Sequence, residues 1–123
     1  MLKWVKEIIV STVVLLILDG GFLYLNMDKY KHQIASVQRV ILQFKPEGAL
    51  ICYFLLIAGL NYFIIQRNRS LLEAFLLGVI IYGVYDSTNY ASLKKWDPYL
   101  AIMDSLWGGT LFALTTFITY SVL

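Results

Sequence analysis

Residues 71–96 read LLEAFLLGVIIYGVYDSTNYASLKKW, and this stretch decides what kind of protein the chain encodes. Its first part is an apolar run, and a helix needs about 20 such residues to cross a bilayer. Its second part places an acid and an amide, Asp86 and Asn89, among tyrosines. Such groups are costly in hydrocarbon, so an ionisable residue there marks a functional site by default. The stretch therefore predicts a transmembrane helix with polar chemistry near one end.

The whole chain has the composition of a membrane protein. Of its 123 residues, 59% are hydrophobic and 15% are charged, whereas soluble domains are nearer half apolar and a quarter charged. The length suits one integral membrane domain over residues 1–123. Its net charge of +2 is spread between apolar runs, which does not resemble a nucleic-acid-binding face. We therefore expect no nucleic-acid partner. The single cysteine, Cys52, excludes an intrachain disulfide.

Four apolar segments are each close to the length that spans a bilayer. They lie at about 8–25, 48–65, 71–91 and 99–123. The alternating ten-residue strands of a transmembrane barrel are absent from the sequence. The pattern therefore predicts an all-α membrane protein, a bundle of four transmembrane helices, without identifying the membrane.

Local signals mark the start of three of these helices. Pro46 precedes the second segment, and proline suits a first helical turn. Ser70 and Glu73 have the spacing of a capping box before the third segment. Asp97, followed by Pro98, supplies an N-cap acid before the fourth. These signals support the segment boundaries independently of hydropathy.

The first segment resembles the apolar region of a signal peptide, because Lys3 and Lys6 precede it. No Ala-x-Ala-like cleavage site follows, and apolar character resumes beyond Asp19. We therefore expect this segment to be retained as the first span. Basic residues are divided too evenly between the two sides to fix the orientation by the positive-inside rule.

The polar connection between the first two spans carries an amphipathic pattern. Its apolar residues recur at helical spacing: Tyr30, Ile34, Val37, Ile41 and Phe44. Basic residues flank them, which predicts a helix over about 28–44 lying in the membrane interface, with the lipid bilayer as its partner. An extension of a neighbouring span beyond the bilayer explains the same pattern, and this alternative stays open.

Three carboxylates fall at a similar depth in three different spans. At 1.5 Å per residue, Asp19, Asp86 and Asp104 each lie about 8–9 Å below the same membrane face. Helical spacing places aromatic and amide residues on the same faces. The candidate binding cluster comprises Asp19, Tyr82, Tyr85, Asp86, Asn89, Asp104 and Trp107.

Glycines accompany the polar faces and predict close helix packing, because small residues let transmembrane backbones approach each other. They are Gly20, Gly21, Gly78, Gly83, Gly108 and Gly109.

The predicted cluster has no opposite charge within the membrane, because no Lys, Arg or His lies inside any span. Carboxylates that share one pocket cannot all ionise in a medium of low dielectric constant. Some must then be protonated, or a cation must complete the site. Alternatively, these polar residues only form hydrogen bonds that hold the helices together. No zinc pair, phosphate loop or nucleophile motif is present, so we expect no metal centre and no cofactor.

Three functions follow from these observations. The first is an intramembrane site for a small cation or lipid headgroup, with a carrier or transport role. The second is a lipid-modifying enzyme, or a subunit of one, with Asp86 or Asp104 as general base. The third is a non-catalytic assembly protein. A homo-oligomer is compatible with each of them.

Two motifs, YGVYDSTNYASLKKW at 82–96 and MDSLWGG at 103–109, resemble a family of small predicted membrane proteins of unknown function. The positions that carry the resemblance are Tyr82, Tyr85, Asp86, Thr88, Asn89, Ala91, Leu93, Trp96, Asp104, Trp107 and Gly108. The chain departs from the family pattern at Phe22, where a tryptophan is expected, and at Asp97, an additional acid between Trp96 and Pro98. The resemblance implies a four-span integral membrane protein and supplies no established activity.

Overall fold

The computed structural model describes the backbone of residues 2–38, 46–92 and 97–123, and the side chains of residues 2–26, 47–91 and 97–123. The helices are α1 (Lys3–Gln38), α2 (Pro46–Leu60), α3 (Leu71–Ser92) and α4 (Pro98–Val122), with a π-helical turn (Asn61–Ile65) directly after α2. α1, α3 and α4 each contain a segment long and apolar enough to cross a membrane, and so does α2 together with its π-helical turn. Over the described ranges no strand is present, which confirms the predicted all-α fold with four transmembrane helices.

The predicted capping signals are present as hydrogen bonds. At the start of α3, the Glu73 amide donates to Ser70 Oγ at 3.2 Å, and the Ser70 amide donates to Glu73 Oε1 at 3.4 Å. At the start of α4, the Tyr99 amide donates to Asp97 Oδ1 at 2.9 Å. α2 begins at Pro46, as its sequence predicts. These side chains satisfy backbone donors that have no partner within the helix, so the helix starts are locally encoded.

The first helix is longer than a bilayer requires. α1 runs unbroken for 36 residues, which is about 54 Å at 1.5 Å per residue. Between Gly21 and Pro46 the sequence has no glycine or proline to end it. The backbone predicted as a separate interfacial helix over about 28–44 therefore continues α1 as far as Gln38. Residues 39–45 and the side chains of 27–46 lie outside the described part, so contact with the membrane surface stays a prediction.

The apolar core lies at the middle of the bundle. It is formed by buried side chains from α1, α2, α3, α4 and the π-helical turn. These are Leu15, Leu56, Leu60, Ile64, Ile65, Ala74, Leu111 and Phe112. Most other large apolar side chains are exposed on the outside, as expected for helices that face lipid. The core separates the polar groups near one end of the bundle from those near the other.

α3 and α4 pack most closely where glycines meet. A Cβ atom added to Gly78 would overlap the backbone of Gly108 and Gly109, and one added to Gly108 would overlap the Tyr82 side chain. The predicted close approach is therefore present along this seam. It is absent at Gly20 and Gly21, where no atom lies within 4 Å of an added Cβ. That part of the prediction was wrong, because these glycines lie on the open side of α1.

Candidate functional site: a buried carboxylate on α1

Asp19 is a buried acid whose hydrogen bonds reach two other helices. It is only 6% exposed, and it joins three helices. The Tyr53 hydroxyl on α2 donates to Asp19 Oδ2 at 2.5 Å. The indole Nε1–H of Trp107 on α4 donates to Asp19 Oδ1 at 3.0 Å. The carboxylate therefore lies where α1, α2 and α4 meet.

An aromatic stack holds the indole that donates to Asp19. The rings of Phe22 and Trp107 are stacked, with centroids 4.4 Å apart and an interplanar angle of 8°. Phe22 lies three residues after Asp19 and therefore on the same face of α1. Because the stack restrains the Trp107 ring, the direction of its N–H bond is fixed toward the carboxylate. The phenylalanine that departs from the family pattern thus contributes directly to the site.

The two donors to Asp19 differ in whether they can also accept a hydrogen bond. The Trp107 N–H can only donate, whereas the Tyr53 hydroxyl can rotate and either donate or accept. An ionised Asp19 accepts from both. A protonated Asp19 can carry its proton on Oδ2 and donate to the Tyr53 oxygen, while Oδ1 still accepts from Trp107. The arrangement therefore accommodates both protonation states without a change in backbone position.

Tyr82 and Asp104 lie on the side of Asp19 that faces α3 and α4. Tyr82 is half-buried on α3, and its ring meets Phe112 edge to face, with centroids 6.5 Å apart. Its hydroxyl is within electrostatic range of both Asp19 and Asp104. Asp104 is half-buried on α4 and is also within range of Tyr85. Two of the three predicted carboxylates therefore share Tyr82 as a neighbour.

Asp86 lies in a cleft between α3 and α4. It is 3% exposed, and the cleft has a volume of about 310 Å³. The cleft is lined by Asp86, Ser87, Tyr90, Pro98, Ala101, Ile102, Ser105 and Leu106. Asp19 is not among these residues. The structure therefore places Asp86 and Asp19 in different surroundings near the same end of the bundle.

The remaining predicted residues lie on the outer side of α3. Tyr85 is 58% exposed and forms a side-chain hydrogen bond with Asn89, one turn along the helix. Asn89 is half-buried. Tyr90 is 57% exposed, a placement that suits an aromatic residue at the membrane interface. Trp96, one of the positions that carry the family resemblance, lies outside the described residues.

Sequence reasoning did not include Tyr53 in the candidate cluster. Tyr53 and Asn61 are eight residues apart, so they lie on one face, and the structure uses that face for two hydrogen bonds to α1. Besides the Tyr53–Asp19 bond, Asn61 Nδ2 donates to Ser11 Oγ at 2.9 Å. The depth of Asp19 in the membrane could have identified Tyr53 as its partner, because an antiparallel neighbouring helix must place a residue at the same depth.

Within the described side chains, no group of three or more His, Cys, Asp or Glu residues is arranged to hold a metal ion. The donors around Asp19 are a phenol and an indole, and neither is a usual metal ligand in this neutral form. The site therefore consists of one carboxylate surrounded by aromatic side chains.

No curated protein and no solved structure matched the chain. Residues 4–121 match a family described as a predicted membrane protein, DUF2177. The match includes all four helices and every residue of the candidate site. The chain therefore belongs to this family of predicted membrane proteins of unknown function.

Proposed function

We propose that this protein is a membrane carrier in which Asp19 binds a small cation in exchange for a proton. The observation that carries the proposal is the surroundings of the Asp19 carboxylate. It is buried within the membrane-spanning part of α1, and its hydrogen-bond donors Tyr53 and Trp107 are both uncharged.

Neutral donors stabilise a carboxylate but do not cancel its charge. An ionised acid without a cation is costly in a medium of low dielectric constant, and such a group takes up a proton or a cation instead. From residue 8 onward the spans contain no Lys, Arg or His that could serve as a resident partner, and Lys3 and Lys6 lie at the start of α1, 13 or more positions from Asp19. Asp19 therefore alternates between two neutral states, one protonated and one bound to a cation.

The neighbouring residues suit a cationic guest. Asp104 contributes a second carboxylate within electrostatic range of Tyr82. The faces of aromatic rings attract cations, by about 2 kcal/mol or more when both are desolvated. Tyr82 and Tyr53 supply such rings beside Asp19. Aromatic rings together with a carboxylate favour an amine or quaternary ammonium group, which can belong to a free solute or to a lipid headgroup.

The α3–α4 cleft holds a further carboxylate, the buried Asp86, beside the hydroxyl of Ser105. Asp104, next to Ser105 in sequence, and Asp19 both act electrostatically on Tyr82. Carboxylates on three helices therefore favour a cationic guest at this end of the bundle.

The test measures proton release by purified protein in detergent. Tetramethylammonium chloride or ethanolamine hydrochloride, adjusted to the sample pH, is added in weak buffer with a pH indicator. We expect release of about one proton per protein. Asp19→Asn should abolish the release, whereas Asp97→Asn, a matched change at the exposed helix cap, should not affect it.

Two results would contradict the proposal: no release from the wild-type protein with either cation, or equal release from Asp19→Asn. A third arm adds phosphatidylethanolamine in mixed micelles. Release with this lipid but not with free ethanolamine would identify the lipid headgroup as the guest.

A further inference from the structure

A second polar layer lies near the other end of the bundle, where α1 begins and α4 ends. Its side chains are buried although they are polar or charged. Glu7 is 4% exposed, Asn61 is 3% exposed, and Ser11, Thr115 and Thr119 are fully buried. None of them belongs to the Asp19 site, and the sequence motifs did not single out Glu7. Their burial inside transmembrane helices therefore calls for an explanation.

Two hydrogen bonds fix the register that brings this layer together. Ser11 pairs with Asn61, and Asp19 pairs with Tyr53. Ser11 and Asp19 are eight positions apart on α1, and their partners are also eight positions apart, on α2 and its π-helical turn. α1 and α2 with its π-helical turn are therefore antiparallel and stay in register. On α4, Trp107 pairs with Asp19. Eight positions later on this antiparallel helix, Thr115 lies level with Ser11.

The same register places Thr119 level with Glu7, one turn before Ser11 on α1. Glu7 and Ser11 lie on one helical face because they are four residues apart. Glu7 is within electrostatic range of Tyr120, the residue after Thr119. The α1, α2 and α4 contributions to this layer therefore lie at depths that differ by about one helical turn, and the hydrogen bond between Ser11 and Asn61 joins two of these segments directly.

Oxygen atoms in this layer lack partners. Asn61 donates both its amide hydrogens, to Ser11 Oγ and to the Ile57 carbonyl, but its Oδ1 has no hydrogen-bond partner among the described residues. Thr115 Oγ1 is also buried there without one. Glu7 makes no ion pair with a described side chain. Buried polar atoms are nearly always satisfied, so these two oxygens call for a partner such as a bound water or ion.

The backbone is irregular at the same level. The π-helical turn begins at Asn61, whose carbonyl accepts from the Gln66 amide at 2.9 Å. The Tyr120 hydroxyl is within hydrogen-bond distance of the carbonyl oxygens of Ile64, at 3.2 Å, and Arg69, at 2.8 Å, so α4 holds the end of this turn. The irregular turn ends α2 at the depth of Ser11 and places the Asn61 side chain against α1.

We propose that Glu7, Ser11, Asn61 and Thr115 form a binding site for one sodium ion. All the available ligands are oxygens, which suit a hard cation. A single carboxylate balances one positive charge, whereas divalent sites usually collect more acidic ligands. The buried core around Leu15, Leu60 and Phe112 separates this layer from Asp19. The sodium site is therefore distinct from the Asp19 site and does not depend on its proposed function.

The test measures the thermal unfolding of the purified protein in detergent as a function of sodium chloride, with potassium chloride keeping the ionic strength constant. Ligands that bind only the folded state raise its melting temperature. We expect a saturable rise with sodium in the wild-type protein and none in Glu7→Gln. Glu47→Gln, a matched change at an exposed acid on α2, and Asp19→Asn should both keep the response.

Thr115→Val keeps the shape of the side chain and removes one oxygen. We expect it to raise the half-saturating sodium concentration about tenfold, as for the loss of one buried polar contact. This variant also serves as the test if Glu7→Gln does not fold. The proposal is overturned if sodium and potassium act alike on the wild-type protein, if Glu7→Gln keeps the sodium response, or if Thr115→Val leaves the half-saturating concentration unchanged.

Discussion

The α3–α4 pair and the helix α1 illustrate two ways of holding helices together in lipid. α3 and α4 pack at Gly78 and Gly108, where backbone and side-chain atoms leave no room for a Cβ. α1 is joined to its neighbours by buried hydrogen bonds from Asp19 and Ser11. Membrane helices use both close packing at small residues and interhelical hydrogen bonds.

The two kinds of contact are expected to serve different purposes: the glycine contacts of α3 and α4 serve stability, and the polar contacts of α1 serve function. A glycine seam depends on shape alone, and nothing in it can gain or lose a proton. The contacts of α1 include a carboxylate that must be neutralised. We therefore expect changes in the seam to alter the free energy of unfolding, and changes around Asp19 to alter cation and proton binding more than stability.

The largest effect is expected for Gly78→Ala. The added Cβ would overlap the backbone of Gly108 and Gly109, and backbone atoms cannot move aside without separating the helices. We expect a loss of about 3 kcal/mol or more in the free energy of unfolding, measured by titration with sodium dodecyl sulfate in mixed micelles. Gly21→Ala, with no atom near the new Cβ, is the matched control. Equal losses in the two variants would refute the glycine seam.

A smaller effect is expected for Trp107→Phe. The change removes the donor to Asp19 Oδ1 while keeping an aromatic ring that can stack on Phe22. Leaving a buried acceptor without its partner costs about 1–3 kcal/mol, measured in the same titration. Trp4→Phe, at a position 52% exposed, should be nearly neutral. If Trp4→Phe cost as much, the Trp107 effect would reflect general loss of tryptophan rather than the hydrogen bond.

The smallest effect on stability is expected for Tyr53→Phe, which removes the hydroxyl that donates to Asp19 Oδ2. Interhelical hydrogen bonds in membranes contribute about 0.6 kcal/mol on average. A double-mutant cycle with Asp19→Asn should give a coupling free energy of that order. Tyr99→Phe, at a position 83% exposed, should show no coupling to Asp19→Asn. Coupling of the same size at Tyr99 would show that the cycle reports something other than the direct contact.

Much of the fold could be predicted from local sequence. Ser70, Glu73 and Asp97 encode helix starts within three residues, so no tertiary information is needed to recognise them. The end of α1 was harder to predict, because an amphipathic pattern looks the same in an interfacial helix and in an extended span. The π-helical turn at Asn61 had no recognised local signal. It depends on how α2 meets α1 and α4, which the sequence alone does not reveal.

The sequence predicted the depth of the candidate-site residues in the membrane, but not the direction in which each residue faces around its helix axis. Counting residues placed Asp19 and Asp104 at one level, and the structure gives both Tyr82 as a neighbour. Depth could not show that Asp86 faces a separate α3–α4 cleft. It also could not pair Asp19 with Tyr53, 34 positions away, because that pairing depends on the register between α1 and α2. Glu7 was missed because its position beside Lys3 and Lys6 suggested a solvent-exposed end.

The central claim is that Asp19 exchanges a proton for a cation. Infrared difference spectroscopy of the protein with and without tetramethylammonium chloride tests it most directly, because a protonated carboxyl group has its own C=O stretching band. We predict that the cation removes one such band in the wild-type protein and in Asp97→Asn, and that the band is absent throughout in Asp19→Asn. A protonated-carboxyl band that does not respond to the cation, or one that responds equally in Asp19→Asn, would contradict the claim.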